Sequence, residues 1–426
     1  MTDANAAATE RQKQPALFFF FLILCLLAPL AALYDRAAGY GACVVGFLIF
    51  SSWPLLYRER PPLSRAAVYW MAAMAALALA SALWALDQSV SLERALKIAP
   101  QLVAGALLVG VMPRFAEKIP RQWLWLLPAF YALSLGLLAF DLYTGLPIYR
   151  HLHPQLAVNG PYRADALNRG VLFCILLFPP MTGFIFALPG LERQRRLMLA
   201  GGLSALALIA LSAAASQSAQ LAFLLMAAMA LLFPYRWPAF WYALAFVIAA
   251  AILGTPWLAE AMFRHLAPWL AAQHAREISQ AYMPNRMEIW DTVSRYALQS
   301  PWHGFGIDAT RAVPAFDTQQ IYQNDAKLPH PHNFAVQLWM EFGVIGALYG
   351  AGLLAFMLRF LMKQNSRARQ RIALPTLIGC LSASAMTFSL WQGWWLGLLF
   401  LAAALARLGM AVQPDTTGEP KHETVA

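Results

Sequence analysis

The run Leu17-Phe18-Phe19-Phe20-Phe21-Leu22-Ile23-Leu24-Cys25-Leu26-Leu27-Ala28-Pro29-Leu30-Ala31-Ala32-Leu33 contains no charged residue and no polar side chain beyond one thiol. Wound as an α-helix at 1.5 Å per residue it is about 25 Å long, close to the hydrocarbon thickness of a bilayer. Leu197 to Ala215 is a second uncharged run, interrupted only by Ser204 and Ser212, and apolar residues make up 60% of the chain against 12% charged. A soluble domain is excluded by that composition. The expected fold class is an all-α polytopic membrane protein.

Working outward from Leu17–Leu33, spans of bilayer length are expected at 16–33, 38–56, 66–86, 98–112, 122–140, 170–189, 197–215, 219–233, 240–258, 333–357, 372–390 and 394–410, about twelve in all. The expected organisation is therefore 1–258 with nine helices and an outer loop at 141–169, a large loop at 259–332, three further helices over 333–410 and a tail at 411–426. The first span is too long for a cleavable signal, contains Pro29, lacks an Ala-x-Ala site and runs almost directly into the second. If both termini face the cytoplasm, the inner segments hold 19 Lys and Arg and the outer loops 12, nine of these in the two long loops. That asymmetry predicts an N-in, C-in orientation and accounts for the net charge of +10 without any nucleic-acid partner. Of eight histidines only His422 is then inside, whereas Cys25, Cys43, Cys174 and Cys380 fall within spans and offer no outer disulfide.

Two of the outer histidines lie in His330-Pro331-His332-Asn333-Phe334, which opens the tenth span. A helix N-terminus supplies free N–H groups and positive potential, so it attracts anions and keeps a nearby imidazole neutral. Such a histidine can act as a general base. Positions 332, 336, 339, 343, 346 and 350 form one stripe at helical period. Gly343 would lie roughly 16 Å below His332 and pack against neighbouring helices. Glu341 is expected to be paired inside the bundle, since a lone intramembrane carboxylate does not make a proton relay.

Arginines complete the candidate chemistry, because a guanidinium binds phosphate bidentately. In 141–169 the candidates are Arg163 and Arg169, each equally readable as an interface anchor beside Asp165. Arg264 lies in an amphipathic stretch, 258–282, expected to lie on the membrane surface. Arg94 and Lys97 at the lip of the fourth span read first as snorkelling anchors and second as contacts for an anionic headgroup. His151 and His153 lack a third ligand at metal spacing, and a zinc site at His330 and His332 has only His303 to complete it. Ser212 to Gln220 reads as a tight helix hairpin. Pro284 opens a helix to Gln299 carrying Arg286 and Trp290 one turn apart and burying Ile289, Val293 and Tyr296. Ser300 to Gly306 is a tight glycine loop, and Pro314 to Leu328 reads as a lid.

Arg286-x-x-x-Trp290, Pro301-x-His303-Gly304-x-Gly306 and His332-Asn333, with Gly343-x-x-Gly346 following, together resemble the signature of the O-antigen ligase and polymerase superfamily. The resemblance implies a GT-C-like helical fold. It also implies transfer of a glycan from an undecaprenyl-diphosphate donor to a sugar of lipid A-core on the periplasmic face of the bacterial inner membrane, with no cofactor or metal. By position, His332 would be the family's essential histidine and Arg286 its essential loop arginine, with His330, Asn333, His303 and Trp290 in support. Two departures stand out: Gln217 and Ser218 occupy a turn where family members often carry arginine, and Ala347 follows the second glycine where many have threonine. Arg163, Arg169 or Arg264 would then replace the missing diphosphate contact. O-antigen polymerases and protein O-oligosaccharyltransferases use the same donor and stay open as alternatives, as does, from another class, a proton-coupled transporter.

Overall fold

A computed structural model of the chain describes residues 2–155, 164–273, 283–317, 321–322 and 327–414. Every regular element among them is helical. In chain order the α-helices are α1 (Thr2–Leu33), α2 (Asp35–Tyr57), α3 (Arg65–Ser81), α4 (Gln88–Lys118), α5 (Leu126–Tyr143), α6 (Pro147–Leu152), α7 (Asn168–Leu176), α8 (Phe178–Ala187), α9 (Arg193–Ala213), α10 (Gln217–Leu232), α11 (Pro238–Leu253), α12 (Thr255–Ala261), α13 (Ala267–Gln273), α14 (Met283–Ala297), α15 (Ala309–Ala312), α16 (Phe334–Met362), α17 (Arg367–Ser384) and α18 (Gly393–Ala411).

Each of the twelve expected segments coincides with a helix or a broken pair of helices, but not all are long and apolar enough to span. Among the described residues eight pass by length and composition, or nine if α11 and the helices after it form one bent span. The helices α3 and α10 are apolar but short, and α17 begins Arg-Ala-Arg-Gln-Arg, which dilutes its apolar character. The count of twelve is thus not reproduced by these criteria.

One large core gathers α1, α2, α4, α5, α7 and α18 around Phe21, Trp53, Tyr131 and Trp395, all nearly inaccessible. A second joins α14, α16 and the segment following α11 through Phe263, Met287, Trp290, Val336 and Trp339. Each buried aromatic contributes on the order of 2–3 kcal/mol of apolar transfer where water is the alternative. Within the membrane, close packing rather than transfer is what distinguishes the folded arrangement.

Three local features differ from simple sequence periodicity. After Leu253 the chain turns by 77°, because Gly254 ends α11 and Pro256 cannot donate to a continuing helix. The run from Thr255 to Gln273 then includes a π-helical turn at Met262–Leu266; the rest of the expected surface helix, with His274 and Arg276, lies outside the described residues. At Ser212 to Gln220 the chain does not make a hairpin of paired helices: α9 packs on α5 and α8, whereas α10 packs on α17 and α7. Ser216 caps α10, its hydroxyl accepting from the Ala219 N–H at 3.4 Å.

The third feature reshapes the site. α16 is not continuous, because Gly343 has φ +58° and ψ −146°, a conformation essentially restricted to glycine. The loop Pro301–Gly306 fills the break. The Phe305 and Gly306 N–H groups donate to the carbonyls of Met340 and Glu341 at 3.0 and 2.9 Å, and the Val344 N–H donates to the Pro301 carbonyl at 2.7 Å. These bonds satisfy backbone groups that the helix break would otherwise orphan. The stripe from position 332 to 350 therefore does not run as one helical face, and Gly343 is a backbone hinge point rather than a packing glycine.

Candidate functional site

His332 precedes α16 and holds a left-handed backbone, φ +55°, which is uncommon for a residue with a Cβ. Next to it Asn333 caps the helix, its side-chain oxygen accepting from the N–H groups of Ala335 and Val336 at 2.9 and 3.3 Å. The strain at His332 and the cap at Asn333 together set the direction of the imidazole. Its Nδ1 lies 2.5 Å from the Thr387 carbonyl oxygen. A carbonyl can only accept, so Nδ1 carries the proton and Nε2 of the neutral ring keeps its lone pair.

The neighbouring carbonyl, Met386 O, accepts from Nη1 of Arg286. Histidine and arginine, 46 residues apart in the chain, are thus pinned to adjacent carbonyls of the loop joining α17 to α18. Arg286 comes from the first turn and a half of α14, held by the burial of Met287 and Trp290 in the second core. Trp290 supplies packing, and its indole nitrogen is buried with no partner among the described residues. Burial depresses the basicity of Arg286, which still remains protonated.

The His330 ring lies against that of His332, with centroids 4.0 Å apart and the planes tilted by 58°. Burial first, then His332 and the positive charges of Arg311 and Arg286, push its pKa down to about 3. His332 is also held below the ordinary histidine value, by burial chiefly and by Arg286 in part, with the Thr387 bond acting in the opposite sense. Both rings are neutral at pH 7. Arg169 approaches the same loop from α7, its guanidinium 5.7 Å from the Phe388 ring and 5.3 Å from the Trp394 ring.

A buried polar cluster holds this loop. Gln337 donates to Glu341 at 2.8 Å and to Ser389 at 2.9 Å while accepting from the Leu390 N–H at 3.0 Å. Glu341 also accepts from the Trp391 indole N–H. The expected pairing of Glu341 inside the bundle is thus present, with neutral donors in place of a cation.

The other expected contributors lie elsewhere. Arg264, on the π-helical turn, pairs with Glu260 at 2.6 Å and lines a cavity of about 330 Å³ with Asp291, Arg295 and Tyr322. Gln217 is exposed in the first turn of α10. His303 places Nδ1 2.9 Å from the Gly304 carbonyl oxygen, and its own carbonyl accepts from the Trp84 indole N–H at 3.1 Å, so it belongs to the loop filling the α16 break. Arg163 is outside the described residues. So is much of 314–328, where Ile321 and Tyr322 donate their backbone N–H groups to Glu288 at 3.1 and 2.7 Å.

The loop at 385–392 escaped the sequence reading. Its contribution is made by main-chain carbonyls of Met386 and Thr387, which side-chain identity does not advertise. The available signal is Thr387, Ser389 and Gln392 interrupting an apolar run. Among the described residues no three His, Cys, Asp or Glu side chains come together as a metal site.

Arg286 and His332, from different elements, thus meet at one loop between α17 and α18. Residues 202–351 match the O-antigen ligase family. The resemblance read from the motifs therefore holds over a segment that includes both residues. The chain is also similar to a candidate polysaccharide ligase of Rickettsia conorii, 26% identical over 161 residues, covering 35% of this chain and 39% of that protein. A counterpart in Rickettsia felis, with a similar description, matches at the same identity and coverage. The match thus spans about two fifths of the length of these relatives. Arg169 and the Met386–Thr387 carbonyls fall outside the O-antigen ligase segment, whereas Arg311 falls within it.

Proposed function

We propose that this protein is a membrane-embedded polysaccharide ligase that moves a glycan from undecaprenyl diphosphate to a sugar hydroxyl of lipid A-core. The observation that carries the reading is the joint anchoring of His332 and Arg286 on the Met386 and Thr387 carbonyls, inside or against the matched segment. The acceptor oxygen attacks the anomeric carbon opposite the diphosphate as the carbon–oxygen bond to phosphate breaks. The acceptor proton passes to Nε2 of His332, and the lipid diphosphate leaves against Arg286, with inversion at the anomeric carbon. General-base action of this kind contributes about 10²–10⁴ in rate, and fixed positive charge facing a developing anion contributes comparably or more. The arginine charge takes the part a metal ion has in other diphosphate-displacing enzymes, so transfer proceeds in EDTA. On the positive-inside orientation the site faces the periplasm of the inner membrane.

Deleting the gene tests the acceptor directly. A ligase leaves lipid A-core without glycan while lipid-linked polymer accumulates. Core carrying a single repeat would reassign the protein as a polymerase, and loss of glycan from a pilin-like protein would make it a protein O-oligosaccharyltransferase.

A further inference from the structure

A second charged cavity, of about 220 Å³, opens between α4 and the turn Asp308–Arg311 and is lined by Val90, Glu93, Arg94, Lys97, Asp308 and Arg311. It is built on a rigid base. The Ile307 N–H donates to Ser81 at 3.1 Å and its carbonyl accepts from Ser91 at 2.6 Å, tying the turn to α3 and α4. Asp308 holds a left-handed backbone at φ +61°, and its carboxylate is nearly buried, at 5% exposure. That carboxylate orients two guanidiniums at once, Arg94 at 2.9 Å and Arg311 at 3.5 Å. Arg94 donates in addition to the Trp391 carbonyl at 3.3 Å, on the loop that carries the His332 and Arg286 contacts. Arg311 is close enough to His330 for its charge to bear on that ring.

Three cations against two carboxylates leave the cavity positive, and the two acids differ in kind. Asp308 is fixed, whereas the Glu93–Lys97 pair is more than 60% exposed on both sides and is the weak class of ion pair that a stronger anion displaces. A phosphate or diphosphate oxygen cluster fits this arrangement better than a carboxylate does, because it presents several acceptors to divergent guanidinium and ammonium donors.

We infer that this cavity is an anion subsite taking a phosphate group of a lipid-linked substrate, with Arg311 and Lys97 as the direct ligands and Arg94 as the fixed cation behind them. Neither Arg286 nor Arg169 is among the residues that line it. That the lipid is the glycan donor rests on the ligase reading; the anion subsite itself does not.

The full-length protein in nanodiscs of neutral lipid, titrated with inorganic diphosphate by calorimetry, tests the subsite. The wild type is expected to bind. The double variant Lys97→Gln/Arg311→Gln is expected to bind roughly tenfold or more weakly, the loss of two charged contacts. Glu93→Gln, which frees Lys97 from its competitor, is expected to bind more tightly, an effect that a structural role would not produce. Unchanged affinity in a double variant that keeps the wild-type unfolding temperature overturns the inference. Displacement of the probe by polyprenyl diphosphate supports the substrate assignment. Displacement by phosphatidylglycerol instead assigns the cavity to bulk headgroups and overturns it. Diphosphate binding without glycan transfer would remove the ligase reading and leave the anion subsite standing.

Discussion

Two contacts of one residue determine how the base should be tested. His332 sits at φ +55°, so alanine would remove the imidazole and also place an ordinary residue in a left-handed backbone, costing on the order of 1 kcal/mol. Asparagine tolerates that backbone. His332→Asn should therefore unfold at close to the wild-type temperature while losing about 10²-fold or more in transfer to purified lipid A-core. Transfer at the wild-type rate would sink the base assignment. The pH profile follows from the same environment: burial lowers the His332 pKa below 6.5, so the ring stays unprotonated as pH falls through the usual histidine range. Activity should decline on an acid limb centred below pH 6.5, and a limb centred above it would point to a different base. His332 and Arg286 were singled out by the motifs, because side-chain identity is what a sequence records, and the structure bonds both to one loop. The carbonyls that hold them were not, because every residue has one. Arg264 reads in the sequence as a further diphosphate contact, yet the π-helical turn brings it to Glu260 and another cavity.

At the level of the element, the break in α16 is where sequence periodicity misled. Gly343, Gly346 and Gly350 fit a helical stripe, and a glycine within an apolar helix reads as a packing site because sequence carries no dihedral angle. Only the partner loop reveals the break, and the pairing of Pro301–Gly306 with residues 340–345 is a tertiary fact. A Cβ on Gly343 would lie 2.5 Å from the Pro301 oxygen, and one on Gly304 would lie 2.5 Å from the Glu341 carbonyl carbon and the Phe342 nitrogen. Gly343→Ala should cost on the order of 3 kcal/mol or more, since backbone atoms cannot yield as a side chain would. A lowered unfolding temperature in detergent checks this, and a silent substitution would contradict the break. Gly346→Ala meets Phe342 and the Leu338 carbonyl at 2.7 Å without a special φ, and should be milder. The helix at 283–297 and the positive φ of Gly304 and Gly306, in contrast, follow directly from Pro284 and from glycine spacing.

For the whole molecule, apolar run length gave the helical class and the positions of all twelve segments, while the structure gives eight or nine that meet the length and composition of a span. The difference comes from α3, α10 and α17, where short length or a basic first turn leaves a helix dependent on its neighbours for burial. Chelation is a test at this scale. On the proposed mechanism, in which arginine supplies the charge, transfer in a purified system should be unchanged by EDTA. Inactivation by EDTA that zinc reverses would require a metal to be added to the mechanism. The loop at 385–392 carries one more implication. Because it grips the candidate base and arginine through main-chain oxygens, a side-chain substitution at 386 or 387 leaves both acceptors in place, and an alanine scan would not remove them. The loop becomes visible only when the peptide group itself is altered, for instance by exchanging the Met386–Thr387 amide for an ester, whose carbonyl is the poorer acceptor.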